Sequence, residues 1–163
     1  MTDESESTVE EDPKGAAVRF PPPLIFLILL LVGAGVDYLW PVGLGVPAAF
    51  EVVGIAIVLL GIAVAILVNG DFKRKGTAIE PWKPTTHLVT SGVYAWSRNP
   101  IYIGFCLFNG GIGISSNSLW IFISFVPAAV LLYFFVIVRE EAYLEKKFGD
   151  EYLAYKKKVR RWI

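Results

Sequence analysis

The chain has 163 residues, room for one domain of ordinary size. It is 55% hydrophobic and 18% charged, where soluble domains carry roughly 25% charge; this excludes disorder for most of the chain, excludes a nucleic-acid binder, and argues against an ordinary soluble globule. One Cys and one His exclude a disulfide framework and any Cys/His zinc cage, so no metal is expected.

The net charge of zero hides an asymmetry. Residues 1–14 carry six acids (Asp3, Glu4, Glu6, Glu10, Glu11 and Asp12) and one base, Lys14, so the rest of the chain is basic by the same margin. This opening stretch is too poor in apolar side chains to offset its ordering entropy. A disordered acidic tail is expected over 1–18, followed by a single membrane-embedded domain over 19–163. The tail lacks the basic leader of a secretory signal, so the first apolar run is expected to remain in the mature protein.

Four apolar segments follow. Residues 24–40 come after the Pro21-Pro22-Pro23 stop and end on Tyr38 and Trp40, suited to an interfacial belt. Residues 46–68 contain one charge, Glu51, and are long enough to cross a hydrocarbon core of about 30 Å. No charge occurs from Ile101 to Val138. The cluster Gly110-Gly111-Ile112-Gly113 with Ser115-Ser116-Asn117-Ser118 predicts two helices joined by a tight turn, the second over about 119–138. The first is short, roughly 22 Å, and so is tilted or sheltered by its neighbours. Gly54, Gly61 and Ala65 suit close helix packing. Asp37 and Glu51 lie near the outer interface, where snorkelling or a helix–helix hydrogen bond accounts for them. Residues 139–158 read as an amphipathic helix broken near Phe148-Gly149-Asp150, with Tyr143, Leu144, Phe148, Tyr152 and Tyr155 at helical spacings. Its basic excess suits anionic head groups.

Lys and Arg are absent from the 41–45 and 114–118 connections. Five occur over 69–100 and eight after 138. The positive-inside rule puts both termini and the 69–100 connection in the cytoplasm. The expected fold is therefore an all-α, multi-pass integral membrane protein, with about four transmembrane helices, a cytoplasmic loop and an amphipathic C-terminal helix. The loop contains Trp82, Leu88, Val89, Val93, Tyr94 and Trp96, too apolar for a free linker, and is expected to fold against the bundle.

Ser97-Arg98-Asn99-Pro100-Ile101-Tyr102 carries a helix-start signature. Asn99 suits the N-cap, and Pro100 stands where a missing N–H costs nothing. The free N–H groups of a helix start beside Arg98 favour a carboxylate or phosphate. Arg139-Glu140-Glu141 closes the last span on the same side, and paired acids there call for a cation. One anion-seeking and one cation-seeking group at the same mouth fit a zwitterion such as an amino acid moiety.

The stretch from Thr86 through Gly104, with Glu140-Glu141, Phe148-Gly149-Asp150-Glu151-Tyr152 and Tyr155-Lys156-Lys157-Lys158-Val159, resembles the isoprenylcysteine carboxyl methyltransferase family, which is related to phospholipid methyltransferases. The resemblance covers about residues 69–163. It implies an integral membrane enzyme that uses S-adenosyl-L-methionine to methylate a lipophilic small-molecule or lipidated acceptor among membrane lipids: an isoprenylcysteine, an isoprenoid or fatty carboxylate, or a phospholipid amine. The implied cofactor residues are His87, Val89, Gly92, Tyr94, Arg98, Asn99, Pro100, Tyr102, Glu140 and Glu141, with Arg98 and Glu140 catalytic. Arg98 and the helix start would hold the carboxylate, and Glu140 or Glu141 the α-amino group. Tyr94, Trp96 and Tyr102 would face the adenine or sulfonium. Asn99 stands where the family usually has His. An Asn cannot titrate near neutrality, but methylating a carboxylate removes no proton.

Two other classes compete. The C-terminal part of steroid 5α-reductase-like membrane enzymes has a similar Arg-x-Pro-x-Tyr and late Glu but uses NADPH; the early spans here offer few polar residues for that chemistry. A non-enzymatic binding protein that kept the pocket is the other.

Overall fold

The computed structural model describes residues 15, 16, 18 and 20–163. The acidic stretch over 1–14 lies outside the described residues. Of the remainder of the expected tail, Val18 is 6% exposed in the core cluster, and the Ala16 N–H donates to Pro81 O at 2.9 Å.

Helices α1 (Pro22–Leu39), α2 (Phe50–Lys75) and α3 (Pro100–Ser115) are followed by a nearly continuous rod. The rod comprises α4 (Leu119–Ile123), α5 (Phe125–Leu132), one π turn over Tyr133–Ile137, and α6 (Val138–Lys158). Among the described residues there is no strand, only a bridge pairing Gly43 with Ser118. Three helical stretches, α1, α2 and the rod, are long and apolar enough to cross a membrane. Charge returns at Arg139, so the apolar part of the rod is 119–138. Helix α3 has 16 residues, roughly 24 Å at 1.5 Å per residue. It is sheltered on one side by α2 and on the other by α4 and α5. The chain is an all-α, multi-pass integral membrane protein.

Three boundaries depart from expectation. Helix α2 runs past 68 to Lys75 and stops where Gly76 takes the left-handed conformation at φ 62°. Residues Asn69–Lys75 read as loop because they are polar, but a helix leaving the bilayer keeps its backbone bonds while its charges reach water. Gly110, Gly111 and Gly113 lie inside α3, and the reversal comes at Ser116–Asn117, with Asn117 at φ 49°. In hydrocarbon the backbone must bond to itself, and small residues let helices approach. A Cβ on Gly111 would lie 2.8 Å from Gly54 O, and one on Gly61 would lie 2.6 Å from Gly104 O. Gly54 and Gly61 thus form the close seam between α2 and α3, whereas Ala65 faces a groove described below. Finally, the last span and the amphipathic segment are one rod. Its breaks have local causes: Pro127 cannot donate to the Ile123 carbonyl, and Gly149 bends α6 at φ 49°, ψ −123°.

The end of the bundle remote from the 76–99 loop is fastened by hydrogen bonds. Ser118 Oγ donates to Asp37 Oδ1 at 2.7 Å, and Trp120 Nε1 donates to Trp40 O at 2.8 Å. The Leu119 N–H donates to Val42 O at 2.9 Å. Asp37 therefore makes the helix–helix hydrogen bond that its position called for, while Glu51 is exposed.

Candidate active site

The 76–99 connection folds onto the opposite end of the bundle. Thr77 Oγ1 accepts from Thr86 N–H at 2.9 Å, Thr86 Oγ donates to Gly76 O, and Tyr143 OH accepts from Thr85 N–H. A short 3₁₀ turn over Gly92–Ala95 brings Tyr94 edge-on to Phe72 of α2. Gly92 has φ 64°, and a Cβ there would lie 2.3 Å from the Asp71 carboxylate. Both the backbone sign and the space require glycine at this point.

Helix α6 forms the second wall. Tyr155 OH donates to Tyr94 O at 2.7 Å, so the tyrosine face of α6 packs on the loop rather than on head groups. The cavity between them is lined by His87, Val89, Tyr94, Arg98, Asn99, Tyr102, Glu140 and Glu141, together with Phe72, Leu88, Tyr152 and Tyr155. Eight of the ten expected cofactor residues thus meet in one cavity. Gly92 and Pro100 are not among its lining residues, and Trp96, 84% exposed, turns away from it.

The π turn matters here. Two residues separate its end from the acidic pair, whose two carboxylates, on adjacent helical positions, take different partners. Glu140 accepts from Tyr102 OH at 2.7 Å, and among the described residues no ion pair involves it. Burial, with a smaller push from Glu141 and against the Tyr102 bond, raises its carboxyl to about 7. Glu141 instead accepts from Arg161 Nε and NH2 at 2.9 and 2.8 Å. Burial acts to raise its carboxyl, but the Arg161 bond and the charges of Arg98, Arg161 and Lys156 outweigh it and hold it below the usual carboxylate range.

Arg98 is nearly buried, with NH1 3.1 Å from Glu141 Oε1. The alignment is poor, so among the described residues Arg98 Nε and NH1 have no hydrogen-bond partner. Buried donors of a guanidinium are rarely left unused. Arg98 and Glu140 line the same cavity.

One expectation about this region is corrected. Asn99 does not cap α3 with its side chain; Nδ2 donates to Arg161 O at 3.0 Å, where Ser97 Oγ also donates at 3.2 Å. Glu141 pairs with Arg161 and lies 3.1 Å from Arg98 NH1, whereas Glu140 makes no ion pair among the described residues.

The residue that sequence reasoning missed is Arg161. Beyond α6 the chain doubles back: Arg98 N–H donates to Arg160 O at 3.0 Å, and Trp162 packs against the core. Arg161 also stacks 5.2 Å from the centre of the Tyr133 ring. Arg161→Ala is expected to let Glu141 draw Arg98 fully to itself, withdrawing donors from the cavity. Loss of two charge-assisted bonds from a guanidinium about one third exposed, where water screens them, should lower stability by about 1–2 kcal/mol, read as a reduced melting temperature in detergent.

The family model for phospholipid methyltransferases matches residues 50–151, well over half of the chain and all of the cavity lining except Ala16, Tyr152 and Tyr155. The chain belongs to the phospholipid methyltransferase family. Within it, the chain is 32% identical over 111 residues to the protein-S-isoprenylcysteine O-methyltransferase of Schizosaccharomyces pombe, covering 60% of this chain and 46% of that protein. It is 33% identical over 113 residues to the enzyme of that name from Xenopus laevis, covering 67% and 38%. A 51-residue stretch, 28% of the chain, is 49% identical to an uncharacterized protein of Haemophilus influenzae, covering 81% of it. The chain spans less than half the length of the named methyltransferases it matches.

Proposed function

We propose that the protein is a membrane methyltransferase that binds S-adenosyl-L-methionine in the cavity between the 76–99 loop and α6 and methylates the head of a lipophilic acceptor. The observation that carries this reading is the pairing, in one cavity, of unsatisfied Arg98 donors with a carboxylate, Glu140, that has no cation. Arg98 Nε and NH1 bind the donor's carboxylate. Glu140 accepts from its ammonium group. The rings of Tyr94, Tyr152 and Tyr155 supply faces for the adenine and for the positive sulfonium. Asn99 and Ser97 hold the returning tail, which places Arg161 on Glu141.

When bound, the donor supplies a methyl group on a leaving group that is already activated. The acceptor's lone pair forms the new bond to carbon as the carbon–sulfur bond breaks, and the residues contribute alignment and exclusion of water. The acceptor's chain has a place to lie. A lateral groove of about 470 Å³ runs between α1 and α2, floored by α3, and is lined by Phe26, Leu30, Ile62, Ala65, Phe105 and Phe108 among others. It borders the cavity along α2 and α3, where Phe72, Ile101 and Tyr102 line the cavity. Isoprenylcysteines, lipid carboxylates and phospholipid amines all present a polar head on an apolar chain of this kind. The Lys and Arg distribution supports a cytoplasmic location for the cavity and both termini.

The test is transfer of labelled methyl from S-adenosyl-L-methionine into lipid extract by the purified protein in nanodiscs, with NADPH binding measured alongside. Micromolar donor binding with labelled lipid is the expected result. NADPH binding without donor binding would overturn it, and donor binding without labelled lipid in extracts from several membranes would reduce the protein to a binding module.

A further inference from the structure

Residues 3–12 hold six acids, and the chain from residue 15 onward carries a basic excess. The described residues fix where this acidic segment joins the fold. Gly15 has φ 57°, and a Cβ there would lie 2.4 Å from Lys83 O, so both backbone and space call for glycine. The Ala16 N–H donates to Pro81 O at 2.9 Å, Ala16 lines the cavity, and Val18 is buried in the core. The acids are thereby tethered at the rim of the cavity.

The same rim carries lysines. Tyr143 OH accepts from Thr85 N–H and from Lys147 Nζ, each at 3.2 Å, which sets Lys147 beside the wall that Ala16 and Thr85 share. Gly149 then folds α6 sharply. Lys156 Nζ reaches Glu145 Oε2 at 2.9 Å, although an unbroken helix would hold residues eleven apart about 16 Å from each other. Lys146 and Lys147 lie before this fold and Lys156, Lys157 and Lys158 after it, with Glu145, Asp150 and Glu151 among them. Among the described residues, Lys146, Lys147, Lys157 and Lys158 make no ion pair, and all but Lys147 are exposed. Lys73 and Lys75 at the end of α2 are also exposed, but no side-chain hydrogen bond joins them to the anchor as Tyr143 joins Lys147 to Thr85.

We infer that residues 3–12 dock on the lysines of α6 and strap the rim of the cavity, taking up ammonium groups that anionic lipid head groups would otherwise meet. The inference makes no use of the proposed methyl transfer. An exposed ion pair contributes little by itself, but a short tether gives the acids an effective concentration on the order of millimolar against lysines within reach. Glu10, Glu11 and Asp12 stand three to five residues from Gly15, about 10–18 Å of extended chain, and Asp3 reaches about 40 Å at full stretch.

Carbodiimide cross-linking of the full chain in phosphatidylcholine nanodiscs, one chain per disc and read by peptide mass spectrometry, tests this. Amide cross-links from residues 3–12 to Lys146, Lys147 or Lys156–Lys158 are expected. Salt at 1 M shortens the screening length to about 3 Å, and phosphatidylglycerol in the disc supplies competing head groups; each should cut the yield at least about threefold. The ion pair of Lys156 with Glu145 is the internal control for the reagent. Absence of the expected cross-links where Lys156 and Glu145 do cross-link would overturn the inference. So would cross-links confined to Lys73, Lys75 or Lys83, or a yield that neither salt nor phosphatidylglycerol lowers. Failure to bind S-adenosyl-L-methionine counts against the proposed function alone.

Discussion

Arg98→Ala is expected to weaken S-adenosyl-L-methionine binding by at least about 100-fold while leaving the protein folded. The magnitude follows from the donors lost: one buried guanidinium with two unsatisfied N–H groups, each charged hydrogen bond being worth about 1.5–3 kcal/mol, where 1.4 kcal/mol is a tenfold change. The fold survives because Glu141 keeps its two bonds to Arg161, so no buried carboxylate is stranded. Arg98→Lys should recover little, since an ammonium keeps the charge but cannot offer a planar fork. Calorimetric titration of donor into both variants, with melting curves as the folding control, measures this. Affinity within threefold of wild type for the alanine variant would remove Arg98 from the site.

Glu140→Gln gives the second large effect, and its signature is a pH profile. The Glu140 carboxyl titrates at about 7, and only the carboxylate pairs with the donor's ammonium. Donor affinity of wild type is therefore expected to rise from pH 6 to pH 8. The Gln variant should bind weakly, with a flat profile over the same range. Stability runs the other way. A carboxyl whose folded pKa lies above its unfolded value favours the protonated folded form. The ligand-free protein thus keeps that contribution below about 4.5 and loses it as pH climbs to about 7, a few kcal/mol at most. Glu140→Gln should abolish the loss. Opposite slopes for affinity and ligand-free melting temperature, both cancelled by one substitution, are hard to produce from a merely structural residue.

Much of this arrangement was legible in the amino-acid sequence for definite reasons. Hydropathy located the helices because a bilayer demands uninterrupted apolar runs. The meeting of Arg98 with the acidic pair followed from charges confined to one side of those runs. Three things were not legible. The α3 glycines carry turn propensities measured in water, and in lipid the packing seam with α2 prevails over them. The π turn before Glu140 leaves no pattern in composition, yet it belongs to the stretch that separates the partners of the two acids. The returning tail, with Arg161 and Trp162, follows the last periodic helix as a short coil, and its bonds to residues 97–99 join positions about sixty apart in the chain. Nothing local announces a contact of that separation. Asn99 was read correctly as a hydrogen-bonding residue but given the wrong partner for that reason.

The groove and the cavity open in different directions, one sideways between α1 and α2 and the other at the loop-covered end, while the opposite end is fastened by the Asp37–Ser118 and Trp40–Trp120 bonds. Under the proposed function each reactant would have its own doorway, with neither blocking the other's. Spent donor would be exchanged for fresh while an amphiphile stays seated, and kinetics with no obligatory order of arrival are the expected outcome.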